Sequence, residues 1–107
     1  MLKMLGQISD CNPKATVVST TATDQAEIKT LNIFNGDASA SAITVYVSEA
    51  GAASGAGNVV YYNASLAANG VVQLTGLSIG AGQKIEVLSG ATANVVATAF
   101  GEKKTAY

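Results

Sequence analysis

The chain has 107 residues, a formal net charge of −1 and a mean hydropathy of +0.32. Charged residues are only 12% of it, about half of the ~25% usual in soluble domains, against 49% hydrophobic residues. This length supports one core and one domain. Its six cations are all lysines, spread along the sequence with no arginine, which argues against a nucleic-acid partner because phosphate binding needs a concentrated basic footprint. No run approaches the ~18–20 apolar residues of a membrane helix, so no membrane role is expected.

Residues 1–13 are expected to form an N-terminal arm ahead of a domain spanning 14–107. Asp10, Cys11, Asn12 and Pro13 combine turn formers with a proline that holds its predecessor extended. The apolar Met1, Leu2, Met4, Leu5 and Ile8 either pack back on the domain or dock on a neighbour. The segment 1–7 lacks the apolar core of a signal peptide, so the expectation is folding in the cytoplasm of the cell that makes it.

Residues 15–21 (ATVVSTT) read as a first strand, rich in β-branched side chains. Residues 26–35 (AEIKTLNIFN) read as a second, with a slip in phase: Ile28 sits at an even position, Leu31 and Ile33 at odd ones. That slip predicts a bulge or a change of covered face near Thr30. Asn35-Gly36-Asp37 marks a turn. Beyond it residues 43–48 alternate, with Ile43, Val45 and Val47 facing inward and Thr44, Tyr46 and Ser48 outward.

Residues 49–57, with three glycines and no bulky side chain, read as a surface loop at an exposed end of the domain. Residues 58–63 (NVVYYN) resume a strand, Leu66 is placed to plug the core, and Asn69-Gly70 marks a tight turn. Residues 71–75 (VVQLT) follow, with Val72 and Leu74 inward. The closing stretch holds two strands, 83–89 and 94–100, joined through Ser89-Gly90-Ala91-Thr92. In the last of these, Val96, Thr98 and Phe100 face one way and Val95, Ala97 and Ala99 the other, so both faces look coverable.

Seven extended segments with regular turns and no helical periodicity predict an all-β fold. The expected form is an antiparallel β-sandwich, jelly-roll or Ig-like, of about seven to eight short strands, with a closed barrel as the alternative.

Candidate chemistry is sparse. Without histidine the commonest general base and zinc ligand are both missing. Cys11 has no base beside it, and the carboxylates Asp10, Asp24, Glu27, Asp37, Glu49, Glu86 and Glu102 are scattered. Asp24, Glu27 and Asp37 lack the alternate spacing of a calcium loop. The glycines Gly76, Gly80 and Gly82 lead into a strand rather than a helix, unlike a phosphate loop. The expectation is therefore a non-enzyme with no catalytic residue, cofactor or metal. Tyr46, Tyr61 and Tyr62 are candidates for an aromatic sugar-binding platform, or else divide between core and surface.

The low charge has two readings: alanine inflates the apolar count, or surface is covered in use, which is favoured because strand edges would also be exposed. In Leu5-Gly6-Gln7, residues 31–36, Ala68-Asn69-Gly70, the spacing of Leu77, Gly82, Ile85, Val87 and Ser89, and the closing Asn94-Val95 and Ala99-Phe100-Gly101-Glu102, the chain resembles small β-sandwich proteins of bacteriophage virions. The resemblance implies a capsid decoration (cement) protein, often trimeric, that clamps neighbouring major capsid protein subunits. It also implies a place on the capsid surface of the virion after synthesis in the host cytoplasm. The partner-binding candidates are Leu2, Met4, Leu5 and Ile8 of the arm, with Tyr46, Tyr61 and Tyr62. The alternatives are a phage tail fibre, tip or adaptor component, and a carbohydrate-binding module.

Overall fold

The computed structural model describes residues 3–9, 11, 14–21, 23–49, 51, 59–90 and 95–105. Among them there are eight strands and no helix: β1 (Lys3–Ile8), β2 (Ala15–Ser19), β3 (Asp24–Asn35), β4 (Ser41–Glu49), β5 (Val59–Leu66), β6 (Val71–Ile79), β7 (Gln83–Ser89) and β8 (Val95–Thr105). They form two four-stranded antiparallel sheets, β1-β8-β3-β6 and β2-β7-β4-β5.

Four of the pairings are nested: β1 with β8, β2 with β7, β3 with β6, and β4 with β5. They describe one long hairpin folded at the β4–β5 connection. Two further pairings, β3 with β8 and β4 with β7, wrap that ribbon into two layers. The result is an eight-stranded jelly roll, which decides between the two sandwich forms expected from the sequence.

Alternation along the strands builds the core. Leu31 and Ile33 of β3 stand directly beside Ala99 and Ala97 of β8, so large side chains fill the space above small ones. From the other sheet come Ile43 and Val45 of β4 and Ile85 and Val87 of β7, all fully buried. Leu66 and Cys11 complete the same cluster, and the partly buried Val72 and Leu74 pack against it.

The phase slip expected near Thr30 is present. The β3–β8 register shifts between Ile28 and Thr30, with Lys29 as the extra residue of β3. β6 follows the bend without losing register, and it does so at Gly76, which has φ +73°. As a result Ile28 and Leu77, then Leu31 and Leu74, all face the core on either side of the slip.

Three expectations need correction. Residues 3–8 are no separate arm: they form β1, hydrogen-bonded along β8, and Leu5 and Ile8 pack on the core. Burial of those two side chains and pairing with β8 fix a segment that reads as mobile in isolation. Leu2 lies outside the described residues. The strands 83–89 and 95–105 belong to different sheets, so the connection between them crosses the sandwich. Finally, β8 is covered on one face by the opposite sheet, whereas on its other face Thr98 is buried but Val96 and Phe100 are only half-buried. The loop expected at 49–57 lies outside the described residues except for Glu49 and Gly51.

Polar clamps close both ends of the sandwich. At one end the buried Asn35 donates from Nδ2 to the carbonyls of Ser39 (3.0 Å), Leu66 (3.0 Å) and Ala67 (3.4 Å), while its Oδ1 accepts from Asp37 N (3.0 Å). It thereby ties β3 to the β5–β6 turn, where Asn69 takes φ +60°. At the other end Thr20 Oγ1 donates to Gly80 O (2.6 Å) and accepts from Gln83 N (3.0 Å), holding the β2–β3 and β6–β7 turns together.

Where β1 meets β2 the two sheets are in close contact. A Cβ at Gly6 would overlap the Val17 carbonyl oxygen, and main chain rather than a flexible side chain blocks it. Gly6→Ala should therefore lower stability by at least the ~1–3 kcal/mol typical of overpacking, read as a fall in urea midpoint with unchanged slope. Asn35→Ala removes the donor to the buried bond with the Leu66 carbonyl and to the part-buried ones with Ser39 and Ala67, and should cost about 1–3 kcal/mol in the same assay. A loss under about 0.5 kcal/mol would deny Asn35 its clamping role.

Candidate docking surface

The register of the β1-β8-β3-β6 sheet arranges its outer face in rows. Phe34 of β3 lies directly between Val96 of β8 and Val71 of β6. The next row is polar: Gln7, Thr98, Asn32 and Gln73, one from each strand, with Gln7 Nε2 donating to Thr98 Oγ1 at 2.9 Å. A third row places Met4, Phe100, Thr30 and Thr75 side by side. Phe34 is 40% exposed, and Met4 and Val71 are each 56% exposed.

Isolated exposed apolar residues are ordinary, but these share one face and flank one neutral belt. In the belt, Asn32 Oδ1 is buried with no hydrogen-bond partner. A surface that keeps large apolar groups in water is suited to being covered.

Toward its far end the same face becomes charged. Glu27 and Glu102 stand directly across from each other on β3 and β8, a repulsive pairing. The bulge residue Lys29 forms an ion pair with Glu27. The hydrogen bond and the charge of Glu27, helped by Glu102, hold the Lys29 ammonium above its ordinary pKa. Beside them is a groove of about 240 Å³ lined by Gln25, Ala26, Glu27, Ser78, Ile79 and Gly80. It is smaller than the ~300–1,000 Å³ of ligand pockets and carries one carboxylate. Among the described residues, no three of His, Cys, Asp and Glu gather as a metal site would require.

The outer face of the β2-β7-β4-β5 sheet is different in kind. Lys84 and Glu86 alternate along β7 and pair at 3.5 Å, with both side chains almost covered. Tyr46 stands across from Glu86, and Lys14 Nζ lies 4.6 Å from the centre of its ring, within cation–π range. Ser48, across from Lys84, buries an Oγ without a hydrogen-bond partner.

These positions decide the candidates named from the sequence. Tyr46 is on the outer face, whereas Tyr61, opposite Val45, packs on the core, so the two rings sit on opposite sides of one sheet and form no sugar platform. The cause is strand parity: Tyr46 falls at an outward position of β4 and Tyr61 at an inward position of β5. The side chain of Tyr62 lies outside the described residues. Of the described arm candidates, Met4 alone presents its side chain outward; Leu5 and Ile8 are spent on the core. Phe34, Val71, Val96 and Phe100 were not singled out from the sequence. Their signal was available, because each is an apolar residue out of phase with its inward-facing neighbours.

No protein-family model matches the chain, and no curated protein or solved structure matches it either. The two faces make opposite demands on their ion pairs. Glu86→Ala should cost about 2–3 kcal/mol by leaving Lys84 with a poorly solvated charge, measured by chemical denaturation. Glu27→Ala, at a solvent-exposed pair, should leave the transition almost unmoved.

Proposed function

We propose that this chain is a non-enzymatic structural protein of a bacteriophage virion, a capsid decoration protein that binds across neighbouring major capsid protein subunits on the head surface. One observation carries the reading: a compact jelly roll with very little charge keeps Met4, Phe34 and Val71, with the half-buried Val96 and Phe100, on one outer face. Jelly rolls recur in viral capsids, which supports the assignment by analogy of fold. The family resemblance in the sequence points the same way.

In this reading the outer face of β1-β8-β3-β6 takes over the contact role expected of an arm. Covering its apolar rows stabilises each contact by roughly 25 cal/mol per Å² buried, before ordering costs. Repetition over a lattice then makes modest single affinities sufficient. Self-association adds to the same effect.

A tail fibre, tip or adaptor component uses the same kind of contact, and the location of binding separates it from a head protein. Purified protein should co-sediment with heads that lack it and saturate at a fixed ratio. Phe34→Asp should weaken that binding at least tenfold while leaving the unfolding transition within about 0.5 kcal/mol, as expected of a surface change. Binding confined to tails would move the protein there. Absence of binding to any particle, or full binding by Phe34→Asp, would defeat the reading or its surface.

A further inference from the structure

Among the described residues four strands end the two sheets: β1, β6, β2 and β5. Three of them interrupt their own pairing. β1 shifts register between Met4 and Gly6, β2 between Thr16 and Val18, and β5 twice against β4. Such irregularities are how natural sheets discourage edge-to-edge association. β6 is the exception. Its nine residues, VVQLTGLSI, keep unbroken register with β3, and contain neither proline nor any charged side chain. Among the described residues, no strand pairs with its outer edge.

Among the described residues the sandwich is also open on that side. β1 and β2 pack together across the layers, while β5 and β6 at the opposite flank have little contact. Inward-facing Val72 and Leu74 of β6 and Tyr61 of β5 are consequently only partly buried, whereas the inward side chains of β3 and β4 up to Val45 are sealed. The edge and the open core lie along one line.

We propose that β6 pairs antiparallel with β6 of a second copy about a two-fold axis at Gln73, making one continuous eight-stranded sheet through two molecules. Strand parity selects the register. Val71, Gln73 and Thr75 face outward, Val72 and Leu74 inward, and the pattern slips at Gly76. A paired strand must match outward with outward positions and inward with inward.

With the axis at Gln73, Val71 meets Thr75, Val72 meets Leu74, and Gln73 meets its own copy, all on matching faces. Centring the pairing on Thr75 sets outward Gln73 against inward Leu77, and centring it on Leu74 sets outward Val71 against inward Leu77. The neutral segment suits its own copy, because no charge meets a like charge at the axis, and Val72 with Leu74 from both molecules joins two open core flanks. This names a second copy as the partner in the self-association proposed above. It rests on that reading for its biological setting only.

Light scattering across a wide concentration range should give twice the chain mass. Gln73→Lys places two ammonium groups face to face at the axis and should return a folded monomer with an unchanged unfolding transition. Gln73→Cys should oxidise to a covalent dimer. Thr75→Cys should not, because its two copies lie ~13 Å apart along the strands, beyond disulfide reach. Buried Cys11 does not compete.

A wild-type protein that stays monomeric, a Gln73→Lys variant that stays dimeric, or equal cross-linking by Thr75→Cys would each overturn the pairing. Particle binding by a monomer would leave the virion role standing without this interface. A dimer that ignores particles would do the reverse.

Discussion

The pairing of β3 with β8 is the contact on which the rest of this molecule depends. The nested pairs alone would leave a flat ribbon with one apolar side in water. Bringing the last strand against the third, and the seventh against the fourth, converts that ribbon into two facing layers. Side-chain size makes the contact feasible. Ala97 and Ala99 sit beside Ile33 and Leu31, and Gly101 meets the Glu27 carbonyl where any Cβ would collide with it. A larger residue at any of the three would push β8 away from the sheet it closes.

The same geometry explains where contact surface remains. A chain of this size builds two layers and no third. The outer side of β8, flanked by β1 and β3, therefore faces outward, with Val96 and Phe100 standing among the polar Thr98 and Glu102. Along β3 the face changes from the apolar row at Phe34, through neutral amides, to the charged group at Glu27, Lys29 and Glu102. Apolar rows at Phe34 and at Met4 thus flank the neutral belt, and the solubilising charge lies beyond the second of them. The opposite sheet turns out a covered ion pair and a cation–π contact, and among the described residues Val60 of β5 is its one exposed large apolar side chain, against three on the first sheet.

Much of the fold was legible in the sequence. The strands 43–48 and 83–89, the inward placement of Ile43, Val45, Val72, Leu74, Ile85 and Val87, the turn at Asn69-Gly70 and the slip near Thr30 all follow from period-2 alternation and turn chemistry. The contact surface was less legible. Phe34, Val71, Val96 and Phe100 break the alternation, but an apolar residue at an outward position looks the same in sequence whether it is covered by a neighbouring strand or left in water. Residues 3–8 do not read as a strand for a related reason: Leu5 and Ile8 are too few to mark one by themselves, and only β8, some ninety residues later, supplies the hydrogen bonds that make them one.

By itself the sequence determined the class of structure, the inward and outward faces of most strands, and the lack of histidine and arginine, because these follow from local alternation and composition. Tertiary structure alone decided which strands are neighbours. The turns at Asn69-Gly70 and after Ser89 carry the chain across to the opposite sheet, and no local signal separates such a crossing from a hairpin. Strand order comes instead from long-range packing, in which small β8 residues meet large β3 residues, and that order determines which edges and which apolar rows are left for another molecule to cover.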